Sequence, residues 1–192
     1  FGKKILKVAP DYEFINEQID FNHIPNKTCI FITKSDRNLN ILIDIWKRIF
    51  KLNNDAHLMI NPPYRISEDI ADKNVSLRTK GNKKDLIKDL KTSKIMLVPG
   101  HKGEVFCLAA EEARELCIPI VTLGYGSLYE RVEHNKTGFI AKNAEEFIDY
   151  TNRLLNDNAL YLKFRKNLFQ LRNSRNYSHV VSDLLKIINS IS

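Results

Sequence analysis

Short apolar runs alternate with longer amphipathic stretches along most of the chain. Six of these runs are rich in Ile, Leu, Val and Phe, and they predict strands over 28–33, 56–60, 75–77, 94–98, 118–123 and 137–141. Elsewhere apolar residues recur every three or four positions, which predicts helices over 38–52, 82–91, 105–117, 128–133, 144–155, 159–172 and 177–191. Because the strand runs are almost continuously apolar, we expect a sheet that is covered on both faces.

Strands that alternate with helices predict βαβ units and therefore an α/β fold. We expect a Rossmann-like parallel sheet of about six strands, with helices on both faces and a helical C-terminus. Residues 28–192 form the predicted domain, whereas residues 1–27 show no clear pattern and are predicted to be a linker or an edge segment. Because ligands of such a sheet bind at the carboxyl ends of its strands, residues that follow the strands are the candidates for a functional site.

The composition is that of a globular protein, since 43% of the 192 residues are hydrophobic and 28% are charged. No apolar run approaches the roughly 18 residues that span a membrane, and the first residues lack the apolar stretch of a signal peptide. Cys29, Cys107 and Cys117 lie within apolar stretches and are too few for a disulfide framework, so we expect buried free thiols. These features predict a cytoplasmic protein.

Positive charge is in excess and is unevenly distributed. The net charge is +7, and residues 78–102 alone contain eight basic side chains against two acidic ones. Such a segment predicts an anionic partner, which would be a nucleotide, nucleic acid or the phosphate-bearing inner face of a membrane contacted peripherally. A solvated lysine-rich surface is the alternative. Nucleic acid is disfavoured because no basic and aromatic binding module is recognisable.

The segment Gly103–Val121, GEVFCLAAEEARELCIPIV, contains two carboxylates whose spacing is informative. Glu104 precedes the predicted helix, and Glu112 lies at the edge of its buried face, whereas Glu111, Arg114 and Glu115 are predicted to point to solvent. Eight positions correspond to about 12 Å of helical rise, which is comparable to the distance between the two sugar rings of a nucleotide sugar. The helix N-terminus between them would offer N–H groups to a diphosphate.

The spacing of Glu104 and Glu112 resembles the Glu-x7-Glu pattern of group 1 (family 4) glycosyltransferases, in the C-terminal domain of the GT-B fold that binds the sugar donor. Upstream, ITKSDRNLNILIDIWKRI is similar to the family's first strand, phosphate-binding loop and first helix. Downstream, GSLYERVEHNKTGFI is similar to the segment that closes the site, and Thr79-Lys80-Gly81 resembles the loop beside the nucleotide base. Other residues that match the pattern are Phe106, Cys107, Ala113, Pro119, Glu130 and Gly138. The resemblance covers about residues 28–192.

The resemblance implies a role for each matching position. Glu104 would hold hydroxyls of the donor sugar, Glu112 would bind the ribose hydroxyls, and Lys34 and Arg37 would contact the diphosphate. Further ligand contacts are expected from Thr79, Gly81 and Glu130 and from the backbone N–H groups of Phe106, Cys107 and Leu108. His101, in the loop before Glu104, is either a ligand contact or a solvated histidine. No metal cluster and no dinucleotide fingerprint is visible, so we expect neither a metal nor a cofactor.

The sequence departs from the family's pattern at four positions in these loops. Thr33 stands where the family usually has glycine. Lys34 stands where the family usually has arginine, and lysine cannot form the bidentate hydrogen bonds of a guanidinium. Asn38 and Cys107 stand where glycine is common.

A group 1 glycosyltransferase moves a sugar from a nucleotide-diphosphate sugar to an acceptor. The resemblance implies a metal-independent, retaining enzyme with a glycan or lipid-linked acceptor, as in polysaccharide or lipopolysaccharide biosynthesis. This chain would be the domain that binds the sugar donor, and an N-terminal acceptor domain, in the same or a separate chain, would pack against its final helices. The alternatives are a non-catalytic nucleotide-sugar-binding subunit that needs a partner chain and, on charge alone, a nucleic-acid-binding protein.

Overall fold

The computed structural model describes residues 8–61, 73–79, 81–174 and 176–190. Its six strands form one parallel sheet in the order β3-β2-β1-β4-β5-β6. The strands are β1 Thr28–Phe31, β2 His57–Ile60, β3 Val75–Leu77, β4 Ile95–Val98, β5 Ile120–Thr122 and β6 Gly138–Ile140. The predicted α/β fold with a six-stranded parallel sheet is confirmed.

Eight helices are present in the described residues. They are α1 Tyr12–Ile15, α2 Leu39–Leu52, α3 Lys83–Lys91, α4 Leu108–Glu115, α5 Leu128–Arg131, α6 Ala144–Asn156, α7 Asn158–Gln170 and α8 Tyr177–Asn189. Within the same residues, no helix is long and apolar enough to cross a membrane. Helix α4 is shorter than the predicted 105–117, because Cys107 and Cys117 both have a φ of 55°, which interrupts a right-handed helix.

Apolar layers cover both faces of the sheet. One layer packs helices α2 and α6 on the strands and contains the buried side chains of Trp46 and Phe147. The other contains the inward faces of α3 and α4, with Leu90 and Ala113 among its buried residues. This two-sided burial explains why the strands are almost continuously apolar.

The N-terminal segment, residues 8–26, is tied to the second layer and to α7. Phe14 of α1 is fully buried there. A guanidinium nitrogen of Arg165 donates to the carbonyl oxygens of Asp20 and His23, at 3.0 and 3.1 Å. These contacts join the segment to the domain, and the domain boundary between residues 27 and 28 stays a prediction.

The predicted solvent exposure of Glu111 and Glu115 on α4 is wrong. Glu111 is 2% exposed and Glu115 is fully buried. Both carboxylates lie within salt-bridge distance of the half-buried Arg114. A buried charge is tolerated when it is paired, and the helical pattern does not reveal the second partner of Glu111, Arg131, which lies 3.1 Å away on α5.

Candidate functional site

The strand order reverses its direction between β1 and β4. These strands are neighbours in the sheet, although 63 residues separate the end of β1 from the start of β4 in sequence. The loops that leave their carboxyl ends therefore meet, and in doubly wound sheets this is where ligands bind. The loop after β1 contains Lys34 and Arg37, and the loop after β4 contains His101 and Glu104.

Arg37, His101 and Glu104 lie together at this point. Nε of Arg37 is 3.5 Å from a carboxylate oxygen of Glu104, and its Nη1 is 3.3 Å from Nδ1 of His101. The N–H of Gly103 donates to the same imidazole nitrogen at 3.0 Å. Because Nδ1 accepts this hydrogen bond, the ring proton of the neutral imidazole is on Nε2. The site thus combines a cation, a carboxylate and an imidazole N–H.

The side chain of Glu104 folds back onto the start of α4. Its Oε1 accepts a hydrogen bond from the backbone N–H of Cys107 at 3.2 Å. The family resemblance implies that this N–H group is one of three that bind a diphosphate, and in this structure it donates to Glu104 instead. Of the other two, Phe106 is half-buried, and Leu108 is exposed at the first position of α4.

The backbone shape explains why glycine suits two positions of these loops. Asn38 has a φ of 62° and Cys107 a φ of 55°, both in the left-handed region that glycine adopts without a steric penalty. Asparagine tolerates this region better than most residues. In addition, Nδ2 of Asn38 donates to the carbonyl oxygen of Gly100 at 2.6 Å, and this hydrogen bond joins the loop after β1 to the loop after β4.

Glu112 is half-buried on α4, beside charges from two other elements. The pKa of its carboxyl is raised to about 7, chiefly by burial and in addition by the negative charge of Asp11, while the positive charge of Lys83 acts in the opposite direction. Burial also raises the pKa of the Cys107 thiol to about 12, with contributions from both Glu104 and Glu112. The carboxylates of Glu104 and Glu112 therefore both act electrostatically on Cys107, the residue that precedes α4.

The other predicted site residues are more peripheral. Lys34 is exposed in the loop after β1, and Glu130 is exposed on α5. Thr79 and Gly81 follow β3 and border a surface pocket of about 390 Å³. Since β3 is two strands from β1, this pocket lies roughly 10 Å across the sheet edge from the loop after β1. Lys80 lies outside the described residues.

Sequence reasoning missed several residues that shape the site. Gly126, in the loop after β5, is so close to the loop after β4 that a Cβ there would lie 2.5 Å from the carbonyl oxygen of Glu104. Asp11 and Lys83 border Glu112 from the N-terminal segment and from α3. The two glycines of Gly124-Tyr125-Gly126 were the available sequence signal for the close approach of this loop to the loop after β4. The N-terminal segment has no pattern that would have indicated that Asp11 lies near Glu112.

The described part of the chain contains no candidate metal-binding site. No group of three or more His, Cys, Asp or Glu side chains is arranged there to hold a metal ion. The positive charges at the site belong to arginine and lysine side chains.

A parallel sheet of this order, with cations and carboxylates at its reversal point, defines a nucleotide-binding type of α/β domain. Residues 33–170 match the family described as glycosyl transferases group 1, and the chain belongs to this family. No curated protein sequence matches the chain.

Solved structures share the fold at low sequence identity. S. aureus TarM, in a complex with UDP, has 20% identity and a TM-score of 0.73 over 90% of this chain and 37% of its own. WaaG, a glycosyltransferase involved in lipopolysaccharide biosynthesis, has 15% identity and a TM-score of 0.75 over 96% of this chain and 56% of its own. The chain thus spans about half or less of the length of these two proteins.

A third similar structure is a single domain. It is the C-terminal domain of LpcC, a group 1 family protein from Francisella tularensis, with 16% identity and a TM-score of 0.62. The match covers 87% of this chain and 94% of that domain. Together the three structures show that the chain has the fold of one half of a GT-B glycosyltransferase.

Proposed function

We propose that this chain is the domain of a glycosyltransferase that binds the sugar donor, a nucleotide-diphosphate sugar. The observation that carries the proposal is the cluster at the β1–β4 reversal, where Arg37 lies 3.5 Å from Glu104 beside the start of α4. The family match supports the same reaction class. The complete enzyme would transfer the sugar to a glycan or a lipid-linked acceptor.

The chemistry of the step explains the need for these residues. When the bond between sugar and phosphate breaks, negative charge develops on the diphosphate. Arg37, Lys34 and the N-terminus of α4 would stabilise that charge more in the transition state than in the ground state. Glu104 would bind hydroxyls of the donor sugar, and Glu112 those of the ribose.

Fixed cations at the diphosphate make a metal unnecessary in this scheme. Retention of the anomeric configuration follows from the family resemblance, and we include it in the proposal. The similarity to WaaG supports a role in lipopolysaccharide or polysaccharide biosynthesis. A cytoplasmic location at the inner face of a membrane is part of the proposal.

An acceptor domain, in the same or a separate chain, would cover the last helix. In α8 no residue is buried, and its exposed apolar side chains recur at helical spacing: Tyr177, Val181, Leu184, Leu185 and Ile188. Such a stripe is typical of a helix that packs against another element. The matches cover 37% of TarM and 56% of WaaG, so both of these similar proteins contain additional chain of the kind that would supply that element.

Contact with an anionic membrane would involve fewer lysines than the sequence predicts. Lys83 and Lys91 of α3 form salt bridges with acidic residues of the N-terminal segment. Lys84 and Lys88 remain exposed on the same helix. Peripheral binding through these two lysines is part of the proposal, and pelleting with anionic vesicles at low salt tests it.

Calorimetric titration with UDP, GDP and ADP tests the proposed function directly. We expect one of them to bind and the binding to be lost in Glu112→Ala. The matched control is Glu133→Ala, which removes an exposed glutamate paired on the surface with Lys136. If none of the three nucleotides binds the wild-type chain, the proposal is wrong.

A further inference from the structure

A buried ionic network connects α4 to α5. Nε of Arg131, on α5, lies 3.1 Å from one carboxylate oxygen of Glu111, and Arg114 lies 2.6 Å from the other. Arg114 also contacts the fully buried Glu115 at 3.0 Å. Two arginines therefore face two glutamates, and the Arg131 side chain is only 9% exposed. Burying charges is costly unless they are paired, and here each buried carboxylate has an arginine partner.

Arg131 also binds the loop that contains Glu104. Its Nε donates to the backbone carbonyl oxygen of Phe106 at 2.9 Å. Its guanidinium lies over the Phe106 ring, 4.2 Å from the ring centre, within the range of a cation–π contact. One side chain thus holds both the backbone and the ring of Phe106.

The other end of this loop is held from the same direction. The N–H of Ser127, one residue before α5, donates to the carbonyl oxygen of Glu104 at 2.9 Å. Residues 127–131 therefore bind the loop at Glu104 and again at Phe106. Within the described part of the chain, the polar contacts that orient the Glu104 side chain are those with Arg37 and with the Cys107 N–H.

We propose that Arg131 is a positioning residue: through Phe106 it holds the Glu104 carboxylate where it binds the donor sugar, and Glu111 holds Arg131. The inference rests on the proposed function, because it assigns the sugar contact to Glu104. Arg131 would not touch the substrate, yet it would set the affinity of the site for the sugar part of the donor.

A positioning role differs measurably from a merely structural one. If Arg131 acts through Glu104, its loss weakens binding of the intact nucleotide sugar more than binding of the nucleoside diphosphate. Most contacts of the diphosphate are assigned to Lys34, Arg37, Glu112 and the N–H group of Leu108, and only the N–H group of Phe106 belongs to a residue that Arg131 holds. If Arg131 only stabilises the fold, its loss affects both ligands in the same proportion.

Isothermal titration of the 192-residue chain with UDP, UDP-glucose and UDP-N-acetylglucosamine separates the two roles. For Arg131→Met we expect about tenfold weaker binding of the conjugate that binds the wild type, equivalent to about 1.4 kcal/mol, and less than about twofold change for UDP. Arg131→Lys keeps the charge beside Glu111 but not the planar guanidinium, so it should restore part of the loss. It is also the variant to use if Arg131→Met does not fold.

A second measurement needs no nucleotide. Cys107 is 4% exposed and directly follows Phe106, so release of the loop should expose its thiol. We expect Arg131→Met to raise the alkylation rate of Cys107 by iodoacetamide several-fold, measured by peptide mass spectrometry. The fully buried Cys29 and Cys117 are internal controls. Arg48→Met, which breaks an exposed salt bridge with Glu145, controls for the loss of an arginine.

The possible results separate the positioning role of Arg131 from the proposed function. A wild-type chain that binds UDP and a conjugate, with Arg131→Met equal to it in both titrations and in Cys107 labelling, overturns the inference alone. Equal weakening for UDP and the conjugate, together with lower thermal stability, also overturns it. A wild-type chain that binds no nucleotide in the UDP, GDP and ADP panel overturns the proposed function and the inference with it.

Discussion

Replacing Glu112 with glutamine should stabilise the protein at alkaline pH and have little effect in mild acid. Burial raises the pKa of this carboxyl from 4.5 to about 7 in the folded protein, whereas the unfolded chain releases the proton near pH 4.5. Between these values the folded protein binds a proton that the unfolded chain has lost. The free energy of unfolding therefore falls as the pH rises, until the folded carboxyl also ionises near pH 7.

The two pKa values set the size of the effect. They differ by roughly 2.5 units, and about 1.4 kcal/mol per unit gives a loss of about 3 kcal/mol in the wild type above pH 8. Near pH 4.5 the loss is only a few tenths of a kcal/mol. Glutamine is neutral throughout, so Glu112→Gln escapes this loss.

Urea unfolding of the wild type and of Glu112→Gln, at pH 4.5 and again at pH 8.5, measures the difference. The control is Glu133→Gln on the exposed surface, for which we expect no such change. A Glu112→Gln effect of the same size at both pH values would refute the reasoning. A related expectation is that nucleotide affinity of the wild type rises as the pH increases through 7, since ribose hydroxyls donate to the ionised carboxylate.

Two further substitutions test the packing around the site. Gly126→Ala should lower the free energy of unfolding by at least about 1–2 kcal/mol, because φ is 62° and the new Cβ would lie 2.5 Å from the Glu104 carbonyl oxygen. Gly103→Ala, whose Cβ would meet only side-chain atoms, is the control, and equal melting temperatures for the two variants would contradict this expectation. Phe14→Ala should cost about 3–5 kcal/mol in urea unfolding, because Phe14 is fully buried. A cost below about 1 kcal/mol would mean that the N-terminal segment is dispensable for stability.

The strands and most helices could be predicted from sequence because their pattern is local. A run such as Ile95–Val98 is buried on both sides of the sheet and is therefore apolar throughout. The limits of α4 could not be predicted, since a cysteine with positive φ leaves no signal comparable to glycine or proline. The prediction that Glu111 points to solvent was wrong for another reason. Its partner Arg131 is 20 positions away, and a helical pattern assigns an unpartnered glutamate to solvent.

The proximity of Arg37 and Glu104 in the candidate site was predictable because it follows from the topology of the sheet. Arg37 and Glu104 are 67 residues apart, yet the rule that ligands bind at the carboxyl ends of strands and the resemblance to a known family both place them at one edge. The surroundings of Glu112 depend instead on Asp11, in a segment with no periodicity. Its raised pKa therefore required knowledge of which distant residues pack beside it.

The way the N-terminal segment is bound has a practical consequence for anyone who shortens this chain. A version trimmed to begin at Thr28 would retain Arg165 and Arg172 but would lack the carbonyl oxygens of residues 15, 17, 20 and 23 to which they donate. Two guanidinium groups would then face bare apolar surface or open water. Expression clones designed for crystallisation should accordingly keep the gene sequence that encodes residues 8–26.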